Sequence, residues 1–284
     1  MWEVCGIVGI YHKNKELNSR LGVSLAAMLT QMSDRGPDSA GVAIYRDPVE
    51  ESATKVSLYS PTKFDWAALQ HELAEELAGE VGFDVHATHA VFVIPSSSTD
   101  INQWLKSRHR SLRVLSAGSS IEIYKEKGLP CDFVKQFEVE KFTGTHALGH
   151  TRMATESAVT TEHSHPFSTG MDLCLVHNGS LSNHNRLRQG LRDQSVEIQT
   201  DNDSEVAAGY LMWRMREGDT LEIALENALR DLDGFYTLAI GTRDGFAVLR
   251  DPIACKPAVM AETDDWVAMS SEYRAIAQLP DVGH

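Results

Sequence analysis

The chain has 284 residues, a hydrophobic fraction of 42% and a formal net charge of −14. That apolar content suffices for one large buried core or two closely packed ones, and a surface this acidic repels phosphate backbones, which excludes nucleic acid as a natural partner. No apolar run approaches the ~20 residues of a membrane-crossing helix, and the start Met1-Trp2-Glu3-Val4 lacks the basic-then-apolar pattern of a secretion signal, so a cytoplasmic location and no membrane partner are expected.

In chain order, Cys5–Tyr11 reads as a buried strand, with β-branched residues and two glycines. Leu21, Leu25, Met28, Leu29 and Met32 have the spacing of an amphipathic helix over 20–33. The run Arg35-Gly36-Pro37-Asp38-Ser39-Ala40-Gly41 is a turn by composition, and Val42–Tyr45 a second strand. Residues 50–140 differ in character: strands at Lys55–Tyr59, His89–Ile94, Leu112–Leu115 and Ile121–Tyr124, helices at Trp66–Leu77 and Asp100–Lys106. This pattern suggests an α+β insertion with its own small core. Beyond 145, strands are expected at Asp172–Val176, Tyr236–Thr242, Phe246–Leu249 and Val267–Ser270, with helices at Asp203–Arg216 and Leu221–Leu232.

The four cysteines, Cys5, Cys131, Cys174 and Cys255, form no C-x-x-C pair and suggest no disulfide framework. Cys5 heads a strand and precedes a glycine. A thiol reacts as thiolate and needs a base or a positive neighbour. A free α-amino group serves as such a base only for the first residue of a mature chain. Arg152, in His150-Thr151-Arg152, offers a guanidinium fork for a carboxylate. Asn178-Gly179 could supply an amide and a backbone N–H to an oxyanion, or be a tight turn. Asp203-Ser204-Glu205 suits a helix start. Singly, each is ordinary: a strand cysteine, an ion-paired arginine, a turn, a cap. The histidines His146, His150, His163, His165 and His177 crowd the same stretch, but no ligand signature with a carboxylate base emerges, and no metal is expected.

Taken together and in order, these motifs resemble class II glutamine amidotransferases. The run is Cys5-Gly6-Ile7-Val8-Gly9, Arg35–Gly41, His150-Thr151-Arg152, His165-Pro166, His177-Asn178-Gly179, Asp203-Ser204-Glu205, then Arg250-Asp251-Pro252, Lys256-Pro257 and Ser271-Glu272. Within that family the chain is most similar to the amidotransferase-like subunits of glutamate synthases and of N-methylglutamate synthases, enzymes of methylamine metabolism. The resemblance implies one domain over 1–284, an α+β fold of the Ntn-hydrolase type, a four-layer α/β/β/α sandwich carrying the insertion at about 50–140. It implies Cys5 as nucleophile with its own α-amino group as base, Asn178 and Gly179 as oxyanion donors, and Arg152 and Asp203 on the α-carboxylate and α-ammonium of glutamine. Thr155 would assist in glutamine binding. No cofactor motif occurs in the chain. Glutamine or glutamate would be its ligand, and a flavin-dependent (FMN) synthase subunit, with an iron–sulfur cluster as a further candidate there, its partner.

One departure stands out. Trp2, Glu3 and Val4 precede Cys5, and an acylated nitrogen is no base. Either those residues are removed, or translation begins at position 4, or the chain is a catalytically silent scaffold or regulatory subunit of an N-methylglutamate synthase.

Overall fold

The computed structural model describes residues 5–77, 79–153 and 158–280. The chain opens with β1 (Gly6–His12), α1 (Leu21–Gln31) and β2 (Ser39–Tyr45). Next come β3 (Thr54–Tyr59), α2 (Trp66–Glu76), β4 (Gly82–His86), β5 (His89–Ile94), α3 (Ser98–Arg108) and β6 (Arg113–Gly118). Then follow β7 (Ile121–Lys127), α4 (Pro130–Gln136), β8 (His146–Arg152), β9 (Phe167–Gly170) and β10 (Leu173–Leu181). The remainder is α5 (His184–Asp193), α6 (Asp203–Arg216), α7 (Leu221–Asp231), β11 (Gly234–Thr242), β12 (Gly245–Arg250), β13 (Val259–Glu262), β14 (Trp266–Ser270) and α8 (Tyr273–Ile276).

Among the described residues the strands form three antiparallel sheets: a six-stranded one ordered β13-β14-β1-β8-β2-β7, and two four-stranded ones ordered β12-β11-β10-β9 and β4-β5-β3-β6. Strand alternation gives the six-stranded sheet two apolar faces. On one face Val8, Ile10, Val42 and Ile44 pack with Leu25, Met28 and Leu29 of α1 and with Phe133 of α4. On the other, Ile7, Ala43, Tyr45 and Leu148 meet Cys174, Val176 and Ala239 of the second sheet. The outer face of that second sheet carries Leu175, Leu238 and Ile240 against Val206, Leu211 and Ala228 of its helices. The layers therefore run helix, sheet, sheet, helix, an α+β sandwich of the Ntn-hydrolase type. The third sheet has its own core, where Val56, Leu58, Phe92 and Ile94 pack on Trp66, Leu73 and Trp104. That core draws on residues 56–112. β7 pairs instead with β2 of the six-stranded sheet, and α4 joins that sheet's helical layer.

The start of α6 follows its sequence signal. Asn202 caps α6 by accepting from Ser204 N at 2.9 Å, with Asp203 and Glu205 in the first turn. Among the described residues the longest helix is α6, at 14 residues, and no helix is long and apolar enough to cross a membrane. Several elements depart from the sequence expectation. β2 begins at Ser39, inside the predicted turn, because Ser39, Ala40 and Gly41 pair on both sides, with β8 and with β7. β4, β8, β9, β13, α4 and α5 carry too few apolar residues, or too short a run, to stand out. β8 alternates His146, Leu148, His150 and Arg152 with Ala147, Gly149 and Thr151, so its buried polar groups mask a strand.

Two core histidines tie stability to pH. His89 and His146 are buried, and burial pulls them down to about 3 and about 4. Their neutral forms are native, while the unfolded chain takes up protons below about pH 6.5. The stabilisation they give is complete above that pH and is lost as pH falls towards 4. Urea unfolding at pH 7.5, 6 and 5 should show unfolding free energy falling by up to about 1.4 kcal/mol per pH unit for each histidine.

Candidate active site

The predicted chemistry-bearing residues converge at one end of the two facing sheets. Gly6 lies opposite Thr151, and Thr151 opposite Ala40, so Cys5, Arg152 and the Arg35–Asp38 turn share an edge. Cys5 is partly buried. Its backbone carbonyl accepts from Arg35 Nε at 3.2 Å and from Asn178 Nδ2 at 3.0 Å. Arg35 is itself anchored by Glu272, Nη1 to Oε1 at 2.5 Å. The next turn of chain is fixed from the same C-terminal segment: Ile7 N donates to Ser271 Oγ and Ser271 N to Ile7 O, both at 2.9 Å. The Cys5 thiol points to the Met153 carbonyl, Sγ to O 3.7 Å. Burial raises its pKa; that hydrogen bond and the positive charges of Arg152 and Lys256 offset only part of the rise.

Asn178 and Gly179 lie within β10, not in a turn after it, which corrects the tight-turn reading. Gly179 faces Tyr236 of β11 and has φ +146°, and a Cβ there would lie 1.9 Å from Phe235 O. Only glycine lets the two strands close at this point. Arg152 ends β8, with its guanidinium buried, donating from Nη1 to Ala158 O at 3.0 Å. Burial lowers its pKa, countered in part by the neighbouring acidic groups of Cys5, Asp38 and Asp203. An arginine remains cationic throughout.

Asp203 stands in the first turn of α6. Its Oδ2 accepts from Leu181 N at 2.8 Å, and Oδ1 lies 3.3 Å from Ser204 Oγ and 3.7 Å from His177 Nδ1. Burial alone would raise its carboxyl, but His177 and the Leu181 N–H hold it at about 2, so it is ionised at neutral pH. His177 is fixed in turn: Nδ1 meets Ser204 Oγ at 2.8 Å, its carbonyl accepts from His150 Nε2 at 2.9 Å, and its N–H donates to His165 Nδ1 at 3.1 Å. The rings of His150 and His165 stack at 4.0 Å. Burial pulls His150 down to about 3 and His165 well below its ordinary value, so both are neutral. Among the described residues no group of three His, Cys, Asp or Glu side chains is placed to hold a metal ion. Thr155 lies outside the described residues.

Lys125 was not singled out by sequence. It is buried on β7, and its ammonium donates to the carbonyls of Glu162, Ser164 and Pro166 at 3.2, 2.8 and 3.3 Å. Burial lowers it to about 8. It pins the segment that delivers His165. The signal was present: Ile121, Ile123 and Lys125 alternate onto one face, so this lysine follows two buried isoleucines.

Comparison with known proteins places the chain in a family. Residues 150–278 match a family described as a glutamine amidotransferase domain. The glutamine amidotransferase-like protein GlxB of Rhizobium meliloti (strain 1021) is 52% identical over 281 residues, covering 98% of this chain and 93% of that protein. A putative glutamine amidotransferase of Methanothermobacter thermautotrophicus (strain Delta H) is 30% identical over 290 residues, covering 98% and 94%. Glutamine phosphoribosylpyrophosphate amidotransferase from B. subtilis, solved with ADP and GMP, superposes with a TM-score of 0.56 at 22% identity. The match takes in 96% of this chain but 43% of that one, so the shared part is the fold of one portion of a longer enzyme. The architecture is thus that of the Ntn hydrolases. The chain belongs to the class II glutamine amidotransferases.

Gly179→Ala should reduce unfolding free energy by more than about 3 kcal/mol, since the new methyl meets backbone at an unfavourable φ. Guanidinium titration of the variant against the parent protein measures this.

Proposed function

We propose that this chain is a glutaminase subunit that supplies ammonia to a partner synthase, in a complex of the glutamate synthase or N-methylglutamate synthase kind. The observation that carries the reading is the convergence of a strand-head cysteine with a buried arginine, an ionised aspartate and an asparagine amide at one end of the sandwich. Cys5 Sγ attacks the side-chain carbonyl carbon of glutamine, and its proton passes to the Cys5 α-amino group. Asn178 Nδ2 and the Gly179 N–H receive the oxyanion. Each such donor contributes about 3 kcal/mol. Collapse breaks the C–N bond, the leaving nitrogen takes up the proton, and ammonia departs. Water then cleaves the γ-glutamyl thioester to glutamate. Arg152 holds the α-carboxylate and Asp203 the α-ammonium, their opposite charges matching the two ends of the amino acid. Thr155 assists in binding. In the structure Asn178 Nδ2 is engaged by the Cys5 carbonyl, so oxyanion donation requires that amide to share or exchange its acceptor.

This mechanism needs a free α-amino group on Cys5. A thiol raised by burial is protonated at neutral pH, and its described hydrogen bond goes to a carbonyl, not to an imidazole. That observation favours a second reading for an unprocessed chain: a silent scaffold or regulatory subunit in the same complex. The ammonia acceptor site, with FMN and an iron–sulfur cluster as a further candidate, would lie in the partner subunit. A cytoplasmic setting suits such a complex.

Intact-mass analysis and N-terminal sequencing of the native protein should find Cys5 as first residue. Glutamine hydrolysis should fall about 10³-fold or more in Cys5→Ala. Arg152→Gln should raise KM by about 100-fold, the loss of a charged carboxylate contact worth about 3 kcal/mol. Undiminished hydrolysis by Cys5→Ala would overturn Cys5 as nucleophile. A native chain that retains Val4 and leaves glutamine intact would give the scaffold reading instead.

A further inference from the structure

A cleft of about 630 Å³ lies between β7 of the six-stranded sheet and the face of the third sheet turned away from that sheet's own core. This volume is in the range of small-molecule sites. It is separate from the Cys5 site. Strand register sets Cys5 beside the Ala40–Thr151 end of β2 and β8, whereas the cleft adjoins the opposite end, where Tyr45 faces His146 and Ile121.

The lining is a charge network with an imbalance. Glu122 is buried and fully engaged: Oε1 meets Lys55 Nζ at 3.2 Å, while Oε2 meets Arg46 Nε at 3.1 Å and accepts from Tyr124 OH at 2.9 Å. Two cations therefore share one carboxylate. The Lys55 side chain is only 7% exposed, yet Glu122 is its ammonium's one described partner. Lys55 retains two N–H groups and Arg46 most of its five. Arg46 is 30% exposed and its side chain reaches solvent, but Lys55 is buried, and a buried ammonium with spare donors is unfavourable until an acceptor meets them. Asp47 and Asp84 also line the cleft, but both are exposed, and Asp84 contacts His86 at 3.0 Å. Solvent screens their attraction for Lys55 and Arg46. Their own charge disfavours a ligand with more than one negative group. Val91 and Val93 give the same cleft an apolar wall.

We propose that this cleft binds a small organic monocarboxylate, its carboxylate on Lys55 and Arg46 and its apolar part against Val91, Val93 and Tyr124. The site stands apart from glutamine chemistry and does not depend on it.

Calorimetric titration of the full chain with 3-phenylpropionate, its neutral amide and inorganic phosphate, at matched ionic strength, tests this. The expected result is saturable binding of 3-phenylpropionate, at least tenfold weaker binding of the amide and of phosphate, and unchanged affinity in Cys5→Ala. Arg46→Gln and Lys55→Met should each weaken the acid at least tenfold. No binding of the acid, equal binding of the amide, or preference for phosphate would overturn the proposal. Because Lys55 is buried, hydrogen exchange on the unsubstituted protein gives a second readout. Protection by 3-phenylpropionate should centre on residues 46–49, 55 and 122–124, and protection confined elsewhere would sink it.

Discussion

The hydrogen bond from His150 Nε2 to the His177 carbonyl joins the two sheets of the sandwich at the point where the site forms. His165 completes the seam by accepting from the His177 N–H. A nitrogen that accepts is unprotonated, so this contact requires His165 to be neutral, and deep burial keeps it so. With both backbone groups of His177 committed to neighbouring layers, the next residue, Asn178, is held against the carbonyl of Cys5. The His177 side chain reaches the other way, to Ser204 and Asp203 on α6. One strand residue thus couples a sheet-to-sheet contact to the positions of two functional side chains.

Electrostatics divides the site into a positive and a negative half without a direct clash of charges. Arg152 is buried at the end of β8, and Asp203 is kept ionised at the start of α6 by an N–H and an imidazole. Lys125 supplies a third buried charge, met by three carbonyl oxygens instead of a carboxylate. Carbonyl dipoles satisfy the ammonium's donors while leaving its charge uncancelled. The polar segment at 162–166 is therefore ordered by a cation from the neighbouring sheet.

Much of this was legible in the sequence where apolar spacing or a motif order carried it. Leu21, Leu25, Met28 and Leu29 announced α1, and all four are buried in the core. The four-layer sandwich came from the order of polar motifs, since no periodicity reports how two sheets face each other. What escaped has physical causes. β8 reads as a polar run because it carries histidines and an arginine among its buried residues, and His150 finds its partner only across the sheets. Asn178-Gly179 has turn composition, but pairing with Thr237 and Tyr236 holds it in a strand. The Lys55–Glu122–Arg46 network joins β3, β7 and the residue after β2, which local sequence cannot bring together.

The grip on Cys5 comes from the far end of the chain. Ser271 clasps Ile7, and Glu272 steadies the arginine that holds the Cys5 carbonyl. β1 also lies between β14 and β8, so its ladder is half empty until the final strand arrives. During synthesis the cysteine emerges well before Ser271, which lies 264 positions after Ile7, and waits for that segment before its surroundings exist. A chain cut before Ser271 therefore carries the thiol without its setting, so the site reports on the integrity of a segment far from the cysteine in sequence.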